Sequence, residues 1–406
     1  MKIKILTNCY PPEIGAAANQ LYELAQALTA AGHSVSVVTR FPRHIPASLL
    51  PKTKGSWLIR EKRPEASVVR VKIPQFSRRV PLLREIEHAL NFILLVVACL
   101  TSDRAEVTLV YSPPIVVGYA AVMARLFNRS KVVLNVQDLF PQSLIDLGQM
   151  QNKLLIAISR WLERFLYRRV DQITVMSKSN KKIVEKTAGE PAKVTVMYNW
   201  VDTEFIRPGE RDNELRREFG LGDKFVLTFA GCIADSQDMD IILGAAAELE
   251  GYDGILFLIA GNGPNSDATR ERARMLKNVL VLPIQPREKY VKMLAASDVG
   301  LITLSPSVAT PVVPSKMLSI MSAGRAILAS LPLTGDAPGF VKRAGAGIVV
   351  PAGDQKAFNA AVTRLASDGE LCARYGRQGR EWVVAHYSLG VCAQKYEELF
   401  TQVVKK

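Results

Sequence analysis

The strongest constraint in this 406-residue sequence is an alternation of short apolar runs with longer helical stretches that stops once and starts again. Residues 2–7, 34–39, 107–111, 131–136, 172–176 and 193–197 read as strands, with helices expected over 18–31 and 115–126. The series restarts with strands over 225–230, 255–260, 279–282, 299–303, 326–329 and 347–350. Short apolar strands separated by helices belong in parallel sheets covered on both faces. Between the two series lies DTEFIRPGER at 202–211, a polar stretch with proline and glycine that suits a hinge linker. The expectation is an α/β protein of two Rossmann-like doubly wound domains, 1–203 and 204–387, facing an interdomain cleft. A chain of this length also exceeds what one core usually supports.

Composition narrows the setting. Five cysteines (Cys9, Cys99, Cys232, Cys372, Cys392) are an odd number without a CxxC pair, so a disulfide framework and a zinc ribbon are disfavoured and a reducing compartment is expected. The apolar N-terminal run is too short for a signal peptide and continues as a strand. The run ALNFILLVVACL at 89–100 is far shorter than the roughly 20 residues that span a bilayer. A cytoplasmic protein is expected, soluble or peripheral at the inner face of the cytoplasmic membrane. The net charge of +14 suits an anionic partner. No nucleic-acid module or aromatic-interleaved basic patch is present, so nucleic acid is set aside and an anionic membrane surface or a diphosphate ligand remains.

Five stretches lie where an open α/β sheet exposes its ligand crevice, beyond the carboxyl ends of its strands. Tyr10-Pro11-Pro12-Glu13-Ile14-Gly15-Ala16-Ala17-Ala18-Asn19 follows the first strand, and its small residues leave room for a sugar or phosphate beside a helix start. Plain packing is the other reading of the same residues. Phe229-Ala230-Gly231-Cys232 and Ile259-Ala260-Gly261-Asn262-Gly263-Pro264 end two successive strands of the second half. Glycines there open space beside a nucleotide, or simply make tight turns. Val136-Gln137-Asp138-Leu139-Phe140-Pro141 offers a carboxylate that acts as a base or caps a turn.

The fifth stretch, Thr310-Pro311-Val312-Val313-Pro314-Ser315-Lys316-Met317-Leu318, joins a strand to a helix ending near Gly324. A lysine in a first helical turn opposes the helix dipole, so its presence there favours a bound anion over structural convenience. Elsewhere, Arg78, Arg79 and Arg84 with Phe76, Leu82, Leu83 and Ile86 suit an interface with anionic lipid, whereas residues 90–100 read as a buried core helix.

Taken together these motifs resemble retaining glycosyltransferases of family four, which have the GT-B fold. The resemblance covers nearly the whole chain and rests on Tyr10-Pro11-Pro12-Glu13 with Gly15 and Asn19, Gln137-Asp138-Leu139-Phe140-Pro141, Asn199-Trp200-Val201-Asp202, Gly261-Asn262-Gly263-Pro264, Ala296-Ser297-Asp298-Val299 and Pro314-Ser315-Lys316-Met317. The nearest branch resembles the fucosyl- or fucosamine-transferase-like enzymes of colanic acid and O-antigen assembly. The resemblance implies a UDP- or GDP-sugar donor held by the second domain and a lipid-linked or oligosaccharide acceptor held by the first. It implies retained anomeric configuration, no metal and no cofactor beyond the co-substrate.

By the same resemblance Lys316 neutralises the leaving diphosphate and Asp138 is the second catalytic candidate. Gly15, Gly231, Gly261, Gly263, Ile284, Val312, Val313, Ser315 and Ser319 line the donor, and Glu13, Asn19 and Gln137 face the acceptor. The final helix, about 388–406, is expected to pack back on the first domain.

Departures from the family pattern define the open questions. A glutamate pair is usual, and its positions here hold Pro311 and Ser319. Gln137 replaces a frequent histidine, and the arginine common after the first turn of the second domain is missing from Cys232-Ile233-Ala234-Asp235. A catalytically weak GT-B protein that binds nucleotide sugar or supports a partner transferase is therefore the alternative. A sugar-nucleotide epimerase ranks last, because His33, His44, His88 and His386 lie outside the main motifs.

Overall fold

The computed structural model describes residues 1–13, 15–42, 56–73 and 81–406, and only the backbone of 81–85 and 88. The chain divides into two compact units. One comprises Met1–Gln142, Met150–Asn199 and Leu389–Lys406, the other Ser143–Gln149 and Trp200–Ser388.

The first unit is built on an eight-stranded sheet. Its strands are β1 (Lys2–Leu6), β2 (Ser34–Arg40), β3 (Leu58–Lys62), β4 (Ser67–Val71), β5 (Val107–Ser112), β6 (Lys131–Val136), β7 (Gln172–Val175) and β8 (Val194–Val196). Their order is β3-β4-β2-β1-β5-β6-β7-β8. Every neighbouring pair is parallel except β3 with β4, which is antiparallel. The edge pair β3–β4 escaped the sequence reading because LIREK is half-exposed and charged, as an edge strand that must discourage further pairing tends to be. The inner strands match expectation: β5 and β6 are almost wholly buried, as strands covered on both faces must be.

Helices α1 (Ala16–Ala30), α2 (Pro81–Thr101), α3 (Ile115–Asn128), α4 (Gln142–Asp146), α5 (Lys153–Arg169) and α6 (Lys178–Ala188) connect these strands. Leu95, Ala98 and Cys99 of α2 enter the core with Val117, Ala121 and Leu134, which agrees with a core role for residues 90–100. The same helix nevertheless leaves Ile93, Val97 and Leu100 exposed. Of the basic stretch before it, 76–80 and the side chains of 82–84 lie outside the described residues. Among the described residues no helix is long and apolar enough to cross a membrane.

The second unit carries six parallel strands: β9 (Phe225–Cys232), β10 (Ile255–Asn262), β11 (Val279–Leu282), β12 (Val299–Thr303), β13 (Ala326–Leu331) and β14 (Gly347–Pro351). Their order is β11-β10-β9-β12-β13-β14, so the chain reverses its direction of travel across the sheet between β9 and β12. Around them lie α7 (Glu214–Glu218), α8 (Met239–Glu248), α9 (Ser266–Ala273), α10 (Arg287–Ala296), α11 (Lys316–Ser322), α12 (Ala337–Ala344), α13 (Gln355–Ser367) and α14 (Gly369–Tyr387). Phe229, Phe257, Leu328 and Phe358 are fully buried at the centre of this core. The last helix, α15 (Leu389–Lys405), groups with the first unit, where it packs on α1.

Residues 202–211 do not behave as the free linker that their composition suggests. Arg380 donates to the carbonyls of Thr203 and Ile206 at 2.9 and 3.0 Å, and Ser322 donates to Ile206 as well. Arg211 pairs with Asp298 at 2.6 Å. Guanidinium groups that satisfy carbonyls in this way hold irregular backbone firmly, so this stretch is an integral part of the second unit.

Candidate functional site

Open α/β sheets bind ligands at the carboxyl ends of the strands where the connection reverses. In the second unit those strands are β9 and β12. The β9–β10 register pairs Gly231 with Gly261 and Cys232 with Asn262, which sets the two glycine-bearing strand ends side by side. Only glycine fits at 261, where a Cβ would lie 1.9 Å from the Gly231 carbonyl oxygen. β12 leads into an irregular stretch that ends at Ser315, and α11 starts with Lys316.

Lys316 reaches from α11 back to the β9 turn. Its ammonium donates to Gln237 Oε1 at 2.7 Å and sits 3.8 Å from the centroid of the Phe229 ring. A Cβ at Gly231 would meet Lys316 Nζ at 3.3 Å, so the glycine leaves room for the charge. Burial pushes the ammonium down to about 7, opposed by the nearby Cys232. A neutral amide and an aromatic face compensate a desolvated ammonium only partly, by about 0.5–2 kcal/mol for the ring. The cation is thus held in place and half-buried.

α11 does not supply the helix dipole expected of this stretch. α11 has only seven residues, and its N-cap Ser315 makes no side-chain cap. A macrodipole needs more aligned peptides than that, so Lys316 is the basis of any anion site here.

Around this charge the sequence-predicted donor residues are brought into one strand-end region. Gly231 and Gly261 lie at the carboxyl ends of β9 and β10, Gly263 follows β10, and Ile284 stands exposed just beyond β11. Val312 and Val313 are half-buried in the stretch before Ser315. In that stretch Thr310 is buried and donates to Asp146 of the same unit. Ser319 lies one turn beyond Lys316 and is hydrogen-bonded to the Tyr290 phenol of α10, whose own titration burial pushes upward.

Gly15 of the predicted donor set belongs instead to the first unit, at the start of α1. In the loop before it, Tyr10 is buried and donates to Glu65 at 3.2 Å, while Arg70 donates to the Pro11 carbonyl. Those two residues shape the loop. Glu13 is buried, Asn19 half-buried, and a Cβ at Gly15 would meet nothing within 4 Å.

At the end of β6, Gln137 donates to Asn135 Oδ1 and exchanges hydrogen bonds of 3.1 and 3.3 Å with Asn199. Asn135 in turn donates to Thr174 at 3.0 Å and to Tyr396 of α15 at 2.8 Å. Asp138 follows on the rim. Its side chain keeps contact with solvent, yet loss of hydration among its surroundings raises its carboxyl above the ordinary value.

Sequence reasoning missed Phe229 as the ring under Lys316, and Gln237, Tyr290, Asn135 and Tyr396 altogether. Gln237 had a weak signal, being polar in the connection after a glycine turn. The others have none, because their partners are remote in the chain. Two family motifs prove architectural. Asp298 accepts from Arg211, Arg216 and the Val226 amide, and Asp202 accepts from the Glu204 and Phe205 amides.

Comparison with known proteins agrees with this architecture. Residues 17–205 match the sequence family described as Glycosyltransferase Family 4, and 211–382 match Glycosyl transferases group 1. WcaI of Escherichia coli K12, named for colanic acid biosynthesis as a glycosyl transferase, is 25% identical over 343 residues, 80% of this chain and 82% of that protein. Sucrose-phosphate synthase of Thermosynechococcus elongatus superposes with a TM-score of 0.76 at 15% identity, over 99% of each chain. HepE of Anabaena, solved in complex with UDP-glucose, gives 0.72 at 13% identity over 99% of this chain and 100% of that one. At these identities the structural likeness speaks for the fold alone, which is GT-B.

Proposed function

The chain belongs to glycosyltransferase family 4, whose members are retaining enzymes that use nucleotide sugars, and on that premise we propose that it builds a bacterial surface polysaccharide. The donor is a UDP- or GDP-sugar held by the second unit. The acceptor is lipid-linked or an oligosaccharide held by the first, and the enzyme works without a metal in the cytoplasm at the inner face of the cytoplasmic membrane. Likeness to WcaI supports the pathway class, and the net charge of +14 supports work beside anionic lipid.

The observation that carries this reading is the Lys316 ammonium at the paired glycine turns. A diphosphate supplies the counter-charge that Gln237 and Phe229 lack, and it restores the ammonium to full protonation. When the C1–oxygen bond of the donor breaks, negative charge grows on the departing phosphate, where a preorganised cation stabilises it. The acceptor hydroxyl bonds to C1 on the same face and passes its proton to the departing phosphate oxygen, so no separate base is required. Lys316 thereby takes the part of the arginine missing from Cys232-Ile233-Ala234-Asp235, delivering charge to the end of β9 from α11. Asp138, Gln137, Glu13 and Asn19 orient the acceptor hydroxyl, and Ser319 with Tyr290 stands where the usual glutamate would hold ribose.

The test is a thermal-shift screen of UDP- and GDP-sugars. The donor should raise the melting temperature, since a ligand bound by the native state alone stabilises it. Wild-type protein stabilised by none of them would overturn the reading.

A further inference from the structure

The helical layer over one face of the first sheet keeps an apolar outer surface. α3 packs between α2 and α5, and the exposed residues of α5 include Leu154, Ile158, Trp161 and Phe165. Their spacing of four, three and four residues makes one stripe along the helix. The stripe is ordered: Trp161 stacks on Phe165 at 5.6 Å, and Phe165 on Tyr119 of α3 at 6.2 Å. Tyr119 also donates to the Leu162 carbonyl at 2.8 Å. Beside it the end of α3 presents Leu126 and Phe127, each 70% exposed. So large a cluster of exposed aromatic and aliphatic side chains marks a surface that meets something.

The charges say what. α5 carries Lys153, Arg160, Arg164, Arg168 and Arg169, all exposed, and a single acid, Glu163, which is hydrogen-bonded to the buried Tyr167. Lys153, Arg160 and Arg164 flank the stripe, and Arg169 lies over the Phe165 ring at 4.9 Å. At the carboxyl ends of α3 and α5, Leu126 borders a groove of about 640 Å³ where Arg125, Lys131, Arg168, Arg169 and Lys193 outnumber Asp171 and Glu190. Asp171 is engaged by Arg125 at 2.9 Å. An apolar stripe bordered by cations, with tryptophan on it, complements the boundary between lipid phosphates and acyl chains.

We propose that the outer face of α5 and the end of α3 dock this protein on an anionic lipid bilayer. Leu154, Ile158, Trp161 and Phe165 enter the headgroup–acyl boundary while the flanking arginines meet lipid phosphates. This extends the reading of a lipid-linked acceptor but is measured without any transfer.

The experiment is co-sedimentation with phosphatidylglycerol vesicles and, in parallel, with phosphatidylcholine vesicles. Wild type should pellet with the former and not the latter, and high salt should release it. The double variant Ile158→Glu/Trp161→Glu should bind at least about tenfold less, each acid opposing both burial and the lipid charge. Arg160→Glu/Arg164→Glu should also weaken binding. Circular dichroism and melting temperature check folding, and Leu154→Glu serves if the double variant does not fold. Equal sedimentation of folded variant and wild type would refute the docking face. So would no binding to phosphatidylglycerol, or a wild-type dimer that Ile158→Glu/Trp161→Glu splits. Loss of transfer with vesicle binding intact counts against the enzymatic reading instead.

Discussion

The carboxyl ends of the two sheets are built from similar parts and manage polarity in opposite ways. In the first unit, Asn135, Gln137, Asn199, Thr174 and Tyr396 satisfy one another as neutral groups. In the second, a half-buried ammonium is set against an amide oxygen and a ring, with no carboxylate among these contacts. This neutral network stabilises the fold and fixes the Gln137 amide proposed to face the acceptor. A desolvated cation costs stability and is poised for an anion, so the contrast separates neutral positioning from donor chemistry.

The largest expected effect tests the second site directly. Lys316→Ala should lower glycosyl transfer by at least about 100-fold, the usual consequence of removing a preorganised charge from a developing anion, while the chain stays folded. Unchanged turnover would break the comparison. Next comes pH. The free ammonium titrates near 7, and a bound diphosphate requires it charged, so binding above that pH must take up a proton. Titration calorimetry with UDP and GDP should show Kd for the nucleotide that binds rising by up to about tenfold per unit between pH 7 and 9. Lys316→Met should bind weakly with a flat profile.

The first site is tested by stability rather than chemistry. Asn135→Leu strands the partners of a buried amide and should cost about 1–3 kcal/mol in urea unfolding, with nucleotide affinity unchanged. A lost nucleotide affinity would join the two sites that the comparison separates. The smallest effect sharpens the sign of the contrast. The Lys316 group is depressed on folding, so the unfolded chain binds more protons between about 7 and 10.5, and stability rises with pH across that window. Lys316→Met should therefore raise the melting temperature most at pH 6.5 and progressively less toward pH 10.

Much of the second site was legible in the chain itself. Paired glycine turns after strands, and a lysine after a proline-broken stretch, mark backbone and charge locally, so Gly231, Gly261 and Lys316 emerge without coordinates. The first site was legible only as Gln137 and Asp138. Its other members are fixed by contacts across the chain, Tyr396 meeting Asn135 from 261 residues away. The membrane-facing reading went to Arg78, Arg79 and Arg84 with Phe76, Leu82, Leu83 and Ile86, because that stretch sets cations beside apolar residues. The exposed stripe on α5 was hidden, since solvent exposure is decided by which helix face the sheet covers.

The order of strands across each sheet came from the structure, while by itself the sequence determined two doubly wound units, most of their strands along the chain and the position of the glycines at the strand ends. These follow from local periodicity and from backbone conformations that only certain residues adopt. Tertiary structure alone decided that Lys316 lies over Phe229 against Gln237, that residues 202–211 are pinned by Arg380, and that α5 turns its aromatic stripe to solvent. Each depends on burial and on partners remote in sequence. The desolvation that makes Lys316 receptive to a diphosphate exists only once the β9 and β12 ends come together.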